Sequence, residues 1–310
     1  MPITEKQREV RKKYLGSTDI AAVLGVDKYR TAYDVWLEKT GKAERGNNEN
    51  EIMYAGTVFE DGVLKYAETQ LGELIHNTEE EPLEYIDTEF GLIDHPDALV
   101  KEGGNPVEAK TSGLFGPLPE GWGEIGTDSI PDSYLIQGHV HMICTQKELC
   151  HLAAFLGGRG FGLYHIDRDK EIVNIIMEKA HEFWSVFVKT DTPPPDVLPS
   201  LEWIKRIKRE PDKVIDIPEA MVTNLLNAKE SLKIATEIKD DAQAELLAAL
   251  GDAEAGNCVL GMYTYMESKT KQVDLTKLRA EKPEIAAEYT TVSAHRTLRF
   301  KKPKAGKYGG

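Results

Sequence analysis

Apolar residues recur along the first part of the chain at spacings typical of amphipathic helices. From Ser17 to Gly41 the sequence predicts a short helix opened by a Ser/Thr/Asp cap, then a turn, then a second helix that ends at Gly41. A further helix is predicted over 56–71, where apolar residues lie on one face. Glu60 lies beside that apolar stripe, so its carboxylate needs a functional explanation.

Alternating apolar and polar positions predict strands in the middle of the chain. We predict a β-meander over 83–111 from the segments LEYIDTEF, GLIDHPDALV and PVEAKT. The Gly- and Pro-rich segment 112–132 follows, and at roughly 20 residues it is longer than the loops of compact domains, so we interpret it as an active-site flap. A helix over 134–144, a strand pair joined across GGRGFG and an amphipathic helix over 169–189 complete a first domain.

A run of prolines separates this domain from the rest of the chain. Because TPPP cannot continue a helix, we place the first domain at 1–192 and a Pro-rich linker at 193–217, which leaves 218–310 as a C-terminal appendage. A long helix is predicted over 218–250, followed by a small hairpin, a short helix and a basic tail. Its apolar positions resemble a heptad seam, but three are alanine and Lys239 fills another, so we expect packing on the parent domain or a partner.

The composition is that of an ordinary globular protein with an uneven distribution of charge. The chain has 310 residues, 41% of them apolar and 29% charged, which excludes disordered and fibrous classes. The net charge of −14 argues against a nonspecific basic DNA coat. Residues 44–102 hold 16 acidic and 3 basic residues, whereas 291–310 hold 6 basic residues and none acidic. An acidic centre for cations between basic ends for phosphates would suit a metal-dependent nuclease, and a solvated acidic surface is the alternative.

Membrane and cysteine-rich classes are disfavoured. No apolar run reaches the roughly 20 residues of a membrane span, and the first residues do not resemble a signal peptide, so we expect an intracellular protein that does not engage a membrane. Cys144, Cys150 and Cys258 are too few for a disulfide framework or for a metal site built on four cysteines. We interpret them as buried or spare thiols.

Three charged residues in the predicted meander are the main candidates for chemistry. Alternate residues of a strand share a face, so Glu108 and Lys110 point the same way, and Asp97 on the neighbouring strand can face them. Phosphodiester hydrolysis needs a cation at the phosphate and a positioned water, and carboxylate oxygens suit Mg²⁺ or Mn²⁺. Lys110 would orient or deprotonate the water, Glu60 would complete the metal shell directly or through water, and Gln137 would hydrogen-bond the water or Lys110. The same spacing also fits an exposed hairpin with charged cross-strand pairs.

Other candidate groups have competing structural interpretations. His139 and His141 diverge by about 200° on a helix, so we expect satisfied or exposed histidines and no shared metal. GGRGFG lies between two predicted strands and is interpreted as a hairpin turn, not a phosphate loop. Trp122 would either stack on a base or pack against its own loop. The basic tail would either follow the DNA backbone or be a solvated terminus. Its cations are Arg296, Arg299, Lys301, Lys302 and Lys304.

Six ordered motifs resemble a known family. They are GSTDIAAVLGVDKYRTAYDVWLEKTG, the G-x-x-FE of 56–60, HPDALV, VEAKT, YLIQG and FWSVFVKTDTPPP. In this order they resemble the YqaJ-like phage recombinases, relatives of the lambda-type phage exonuclease within the PD-(D/E)xK nuclease superfamily. The resemblance covers essentially the whole chain.

The resemblance implies a fold, an activity and a set of site residues. The fold would be α/β, a three-layer α/β/α nuclease core on a mixed β-sheet. The activity would be 5′ to 3′ digestion of one strand of linear duplex DNA with two Mg²⁺ or Mn²⁺ ions. Lys110 would position the nucleophile and Gln137 would be the helix glutamine. The metal ligands would be Asp97, Glu108, the backbone carbonyl of Ala109 and Glu60.

The resemblance also implies phosphate contacts and partners. Arg11 would grip a DNA phosphate, and Ser17 and Thr18 would contact a phosphate through hydroxyl or amide groups. Many relatives carry a second glutamine two residues after Gln137, where this chain has His139. We expect duplex DNA ends, a single-strand annealing protein and a homo-oligomeric ring as partners, in the cytoplasm of a bacterial host cell with a phage or prophage gene. The alternatives are a catalytically idle DNA-binding module and an endonuclease of the same superfamily.

Overall fold

The computed structural model describes residues 9–44, 46, 51–195, 197–291, 298 and 300. The chain forms two compact units, Met1–Lys213 and Val214–Gly310. No helix in the described part of the chain is both long enough and apolar enough to cross a membrane.

The first unit contains six α-helices and seven strands in its described residues. The helices are α1 (Ser17–Val23), α2 (Ala32–Lys39), α3 (Glu51–Leu71), α4 (Asp132–Thr145), α5 (Lys170–Glu182) and α6 (Leu201–Arg206), and a π-helix (Phe183–Val188) continues α5. The strands are β1 (Leu74–His76), β2 (Tyr85–Asp87), β3 (Leu92–Asp94), β4 (Ala98–Val100), β5 (Pro106–Ser112), β6 (Leu149–Leu156) and β7 (Gly160–Asp167). The predicted helix over 56–71 is confirmed, although it begins already at Glu51.

The central sheet is mixed. Five strands run in the order β1-β4-β5-β6-β7, and only the pair β5–β6 is parallel. The hairpin predicted at GGRGFG is confirmed, since β6 and β7 pair antiparallel up to Leu156 and Gly160. A connection of parallel strands needs a crossover, and α4 supplies it between β5 and β6.

Helices cover both faces of this sheet, so the predicted three-layer α/β/α architecture is confirmed. Val63 and Leu64 of α3 pack with Ala153 of β6 on one face. Met142 of α4 packs with Leu152, the neighbour of Ala153 in β6, on the other face. Successive strand residues point to opposite faces, which explains why adjacent residues of β6 serve different cores.

The predicted β-meander over 83–111 is wrong in its connectivity. The segment GLIDHPDALV forms two strands, because β3 pairs with β2 in a separate two-stranded sheet and β4 pairs with β1 and β5. The break falls at Pro96, which has no N–H to donate to a strand ladder. The strand β1 was not predicted from the sequence, and its three residues complete the pairing of β4.

The segment beyond the prolines differs from the predicted linker over 193–217. Helix α6 lies within it, and Trp203 of this helix is only 4% exposed and belongs to the same apolar cluster as Trp36 and Phe183. The indole N–H of Trp36 donates to the carbonyl oxygen of Phe187 at 3.1 Å. The first unit therefore extends to Lys213, because burial of Trp203 docks the chain back on its core after the proline run.

The second unit matches the predicted order of elements. It contains the helix α7 (Glu219–Leu250), a hairpin of β8 (Ala255–Cys258) and β9 (Gly261–Thr264), and the helices α8 (Leu275–Glu281) and α9 (Pro283–Glu288). No residue of α7 is buried. The cations of the basic tail, Arg296, Arg299 and Lys301 among them, lie outside the described residues.

Candidate active site

Asp97, Glu108 and Lys110 converge where β4 and β5 pair. The pairing of Ala98 with Val107 places Asp97 opposite Glu108. The N–H of Ala109 donates to Oδ2 of Asp97 at 2.8 Å, and Nζ of Lys110 contacts Oε1 of Glu108. The three residues, which are separated along the sequence, therefore form a single cluster at the end of the β4–β5 pairing.

The charges of this cluster are strongly coupled. Burial and the negative charges of Glu108 and Glu60 raise the pKa of Asp97 to about 8. Burial alone would raise the pKa of Glu108 as well, but Lys110 and His141 hold it well below its usual range. Burial would lower the pKa of Lys110, but the carboxylates of Glu108 and Asp97 raise it. Lys110 is therefore a cation and Glu108 is an anion. The positive charge near Asp97 is too small to keep the pKa of this carboxyl in its usual range.

Glu60 and Gln137 approach the cluster from the two helical layers. Glu60 lies on α3, and its charge acts on Asp97 as described above. Gln137 is buried on α4, one turn before His141 and hence on the same helix face. Its Oε1 atom has no hydrogen-bond partner within the described part of the chain. A buried amide oxygen without a partner is costly, and it suits a bound water or cation.

The residues present fit a hard divalent cation. Among the described residues no three His, Cys, Asp or Glu side chains form a ready-made cage. Mg²⁺ keeps several waters and is commonly bound through one or two carboxylates, which Asp97 and Glu108 supply. The N–H and C=O of one strand residue point to the same side, so the carbonyl of Ala109 faces the same edge as its N–H, towards Asp97. This oxygen-only set matches the chemistry of Mg²⁺ or Mn²⁺.

Three aromatic rings form a cluster next to Lys110. Nζ of Lys110 lies 5.4 Å from the centre of the Tyr134 ring, a distance at which the ring face attracts a cation. The Trp122 ring lies 5.6 Å from Tyr134 and 5.4 Å from Tyr164. Trp122 is buried in this cluster, so packing is its structural role and base stacking is not. Tyr134 was not predicted as a site residue, because it lies on α4 and comes close to Lys110 of β5 only in the folded chain.

His141 also contacts the cluster, which the sequence did not indicate. Its Nε2 atom lies 3.1 Å from Oε2 of Glu108, and its Nδ1 atom lies 2.7 Å from Oδ2 of Asp94. Burial would lower the pKa of His141, but Asp94 and Glu108 raise it to about 10. His139 points elsewhere, towards the carbonyl of Leu135 and the N–H of Asp169, at 2.9 and 3.1 Å. The contacts of His139 and His141 therefore diverge, as expected for residues two positions apart on a helix.

A buried ion network supports the N-terminal segment. Asp19 pairs with Arg30 and with Lys39 at 2.7 Å each, and accepts the N–H of Gly16 at 3.0 Å. Burial alone would raise the pKa of Asp19, but Lys39 and Arg30 hold it well below its usual range. Lys39 also donates to the carbonyl oxygen of Arg11 at 2.6 Å. The network thus fixes the backbone of Arg11 against α1 and α2.

The side chain of Arg11 lies beside the connection between β3 and β4, which carries Asp97. Its Nη2 atom lies 3.3 Å from Nδ1 of His95, two residues before Asp97. Arginine can only donate, so the Nδ1 atom of His95 accepts. Ser17 and Thr18 are half-buried in the first turn of α1. The structure therefore places Arg11 next to the HPD motif.

The chain is similar to several known proteins. The sequence model of the YqaJ-like viral recombinase domain matches residues 7–148. The YqaJ protein of Bacillus subtilis (strain 168) is 24% identical over 286 residues, 89% of this chain and 87% of that protein. Among solved structures, the alkaline exonuclease LHK-Exo from Laribacter hongkongensis is 17% identical over 61% of this chain and 94% of its own, with a TM-score of 0.46. The phage-related exonuclease from Haemophilus somnus 129PT is 13% identical over 58% of this chain and 96% of its own, with a TM-score of 0.42. Residues 7–148 of this chain are therefore similar to the YqaJ-like viral recombinase domain.

Proposed function

We propose that this protein is a divalent-metal-dependent exonuclease that hydrolyses linear duplex DNA in phage-type recombination. The observation that carries the proposal is the cluster of Asp97, Glu108 and Lys110 at the end of the β4–β5 pairing. The similarity of the chain to phage-type recombinases and exonucleases is consistent with nuclease activity. The direction, 5′ to 3′, rests on the resemblance to this family.

Asp97, Glu108 and the carbonyl of Ala109 would hold Mg²⁺ or Mn²⁺, with Glu60 bound directly or through water. When bound, two such ions would neutralise the scissile phosphate and lower the pKa of the attacking water. Two features of the protein support this assignment. The raised pKa of Asp97 marks a surplus of negative charge that a cation would offset, and every donor in the set is an oxygen.

Lys110 and Gln137 would position the water and the phosphate. Because its neighbours raise its pKa, Lys110 keeps its proton and acts as a hydrogen-bond donor, not as a general base. The ring of Tyr134 restricts the lysine from one side. Gln137, with its Oε1 atom unpaired among the described residues, would accept a hydrogen bond from the attacking water.

DNA ends would be bound through a few defined contacts, since the net charge is −14. Arg11 lies beside His95 and is held by Lys39, so it would present its guanidinium to a phosphate near Asp97. Ser17 and Thr18 would contribute hydroxyl or amide groups. An annealing protein that receives the product strand and a homo-oligomeric ring around the duplex complete the proposal, and both rest on the family resemblance.

The deciding experiment is digestion of end-labelled linear duplex beside covalently closed circles, with Mg²⁺ or with EDTA. The wild type should degrade the linear duplex from 5′ ends in Mg²⁺ alone and leave the circles intact. Glu108→Gln is the matched variant, because it removes one charge and keeps the shape of the side chain. Cleavage of the circles would favour an endonuclease, and DNA binding without any cleavage would favour an idle DNA-binding module.

A further inference from the structure

Asp94, His141 and Glu108 form a continuous buried chain of charged groups. Asp94 ends β3, His141 lies on α4, and Glu108 lies on β5, so the chain links the small sheet, a helix and the central sheet. The side chains of Asp94 and His141 are 0% and 1% exposed. The two contacts are 2.7 Å from Asp94 to Nδ1 of His141 and 3.1 Å from Nε2 of His141 to Glu108.

Burial of such a chain of charged groups costs free energy and contributes little to the stability of the fold. Charged groups that are removed from water lose hydration, and apolar residues of similar volume are often as stable or more so. The surroundings of His141 on α4 are apolar, since Val140 and Met142 belong to cores on its two sides. Apolar residues at positions 94 and 141 would therefore stabilise the fold at least as well. We infer that the polar pair has a role other than packing.

The contacts of Glu108 indicate that role. Lys110 contacts its Oε1 atom and His141 approaches its Oε2 atom, so both oxygens of one carboxylate are restrained from different elements. Asp94 in turn restrains the imidazole through the other ring nitrogen. This is the arrangement in which outer partners orient a carboxylate that binds a metal, and loss of such partners typically weakens metal binding 10- to 100-fold.

We propose that Asp94 and His141 are positioning residues that hold the Glu108 carboxylate in the orientation required for cation binding. The inference rests on the proposed function, because it assigns Glu108 to the cation site. His141 acts through Glu108 and does not itself bind the cation, since both of its ring nitrogens already face carboxylates. Asp94 acts one step further away, through His141.

The test measures Mn²⁺ affinity of the full chain by isothermal titration calorimetry, without DNA. His141→Leu should raise the Mn²⁺ dissociation constant about tenfold or more. His141→Gln offers Glu108 an amide N–H in place of the imidazole Nε2 and should recover most of the affinity. Asp94→Asn should weaken binding in the wild-type background and add little in the His141→Leu background, because the two residues act in series.

His139→Leu is the matched control, because His139 lies on the same helix, is equally buried and contacts no residue of the cluster. It should lower the melting temperature and leave Mn²⁺ affinity unchanged. If His141→Leu does not fold, Asp94→Asn and His141→Gln decide, since both nearly preserve side-chain volume. Unchanged affinity in Asp94→Asn, or equal losses in His141→Gln and His141→Leu, would overturn the proposal.

Two further results separate this inference from the proposed function. A nitrogen coupling in the pulsed EPR spectrum of bound Mn²⁺ that disappears in His141→Leu would show direct ligation and overturn a positioning role. If the wild type binds Mn²⁺ and degrades duplex DNA while the variants keep full affinity, only the positioning role fails. If the wild type neither binds Mn²⁺ nor cleaves DNA, both fail.

Discussion

Asp97→Asn removes a carboxylate that the fold holds under electrostatic stress, so we expect this variant to be more stable than the wild type without metal. The pKa of Asp97 is raised from 3.8 to about 8. The folded state therefore binds the proton more tightly than the unfolded chain, and the free energy of unfolding of the wild type falls as pH rises from about 4 to about 8. Asparagine does not ionise and can still accept the N–H of Ala109.

The size of the effect follows from that pKa. At about 1.4 kcal/mol per pH unit, the difference between 3.8 and about 8 sets a ceiling of about 6 kcal/mol. Asp97 is half-buried, so water and local relaxation reduce this, and we expect a gain of about 1–3 kcal/mol at pH 8. For a chain of this size that is a rise in melting temperature of roughly 5 °C.

The assay is thermal unfolding in EDTA at several pH values from 4 to 9. The advantage of Asp97→Asn should grow up to about pH 8 and then stay constant. Asp61→Asn, an exposed carboxylate next to Glu60, is the control and should show no such trend. A variant less stable than the wild type at pH 8 would refute the reasoning that Glu108 and Glu60 crowd Asp97. Addition of Mn²⁺ should raise the melting temperature of the wild type more than that of the variant.

Three other predictions test the site and the fold. Lys110→Ala should lower the single-turnover cleavage rate by orders of magnitude but spare Mn²⁺ and DNA binding, and loss of metal binding would show that its role is structural. Arg11→Lys should slow digestion more on 5′-phosphorylated than on 5′-hydroxyl ends, with Arg11→Ala slower still, and equal rates on both ends at low salt would contradict a phosphate contact. Trp203→Ala should lower the free energy of unfolding by about 3–5 kcal/mol in urea, and an unchanged midpoint would place α6 outside the core.

Local signals in the sequence predicted most of the helices and one hairpin. The apolar stripe of α3 and the long helix α7 are visible within a few turns of chain, and the structure confirms both. The predicted Ser/Thr/Asp cap of α1 is wrong in its residue, because the N-cap is Gly16, whose N–H donates to Asp19 in the first turn. The hairpin at GGRGFG is equally local, since its two strands are joined by a three-residue turn between Leu156 and Gly160. Capping, periodicity and tight turns depend on neighbours in sequence, so a single chain is enough to recognise them.

The sequence-based predictions were wrong or incomplete where contacts between residues far apart in the sequence determine the structure. The break at Pro96 redirects the chain from the small sheet to the central sheet, and that choice depends on the pairing of β4 with β1 and β5. The docking of Trp203 after the proline run depends on an apolar cluster formed by residues near both ends of the unit. The contact between Asp94 and His141 joins positions 47 apart, so no spacing rule could indicate it.

The two carboxylates of the cluster differ in how the protein balances their charge. Glu108 is restrained by two cations of the chain itself, Lys110 and His141. Asp97 accepts the N–H of Ala109, and the positive charge of Lys110 offsets its charge only in part, since the pKa of Asp97 stays raised. The pKa values follow this division, since the pKa of Glu108 is lowered and that of Asp97 is raised. The shortage of positive charge in the proposed site is therefore greatest at Asp97, on the side where the carbonyl of Ala109 also points. With a pKa of about 8 this carboxyl holds a proton at neutral pH, and a divalent cation that binds there would displace that proton.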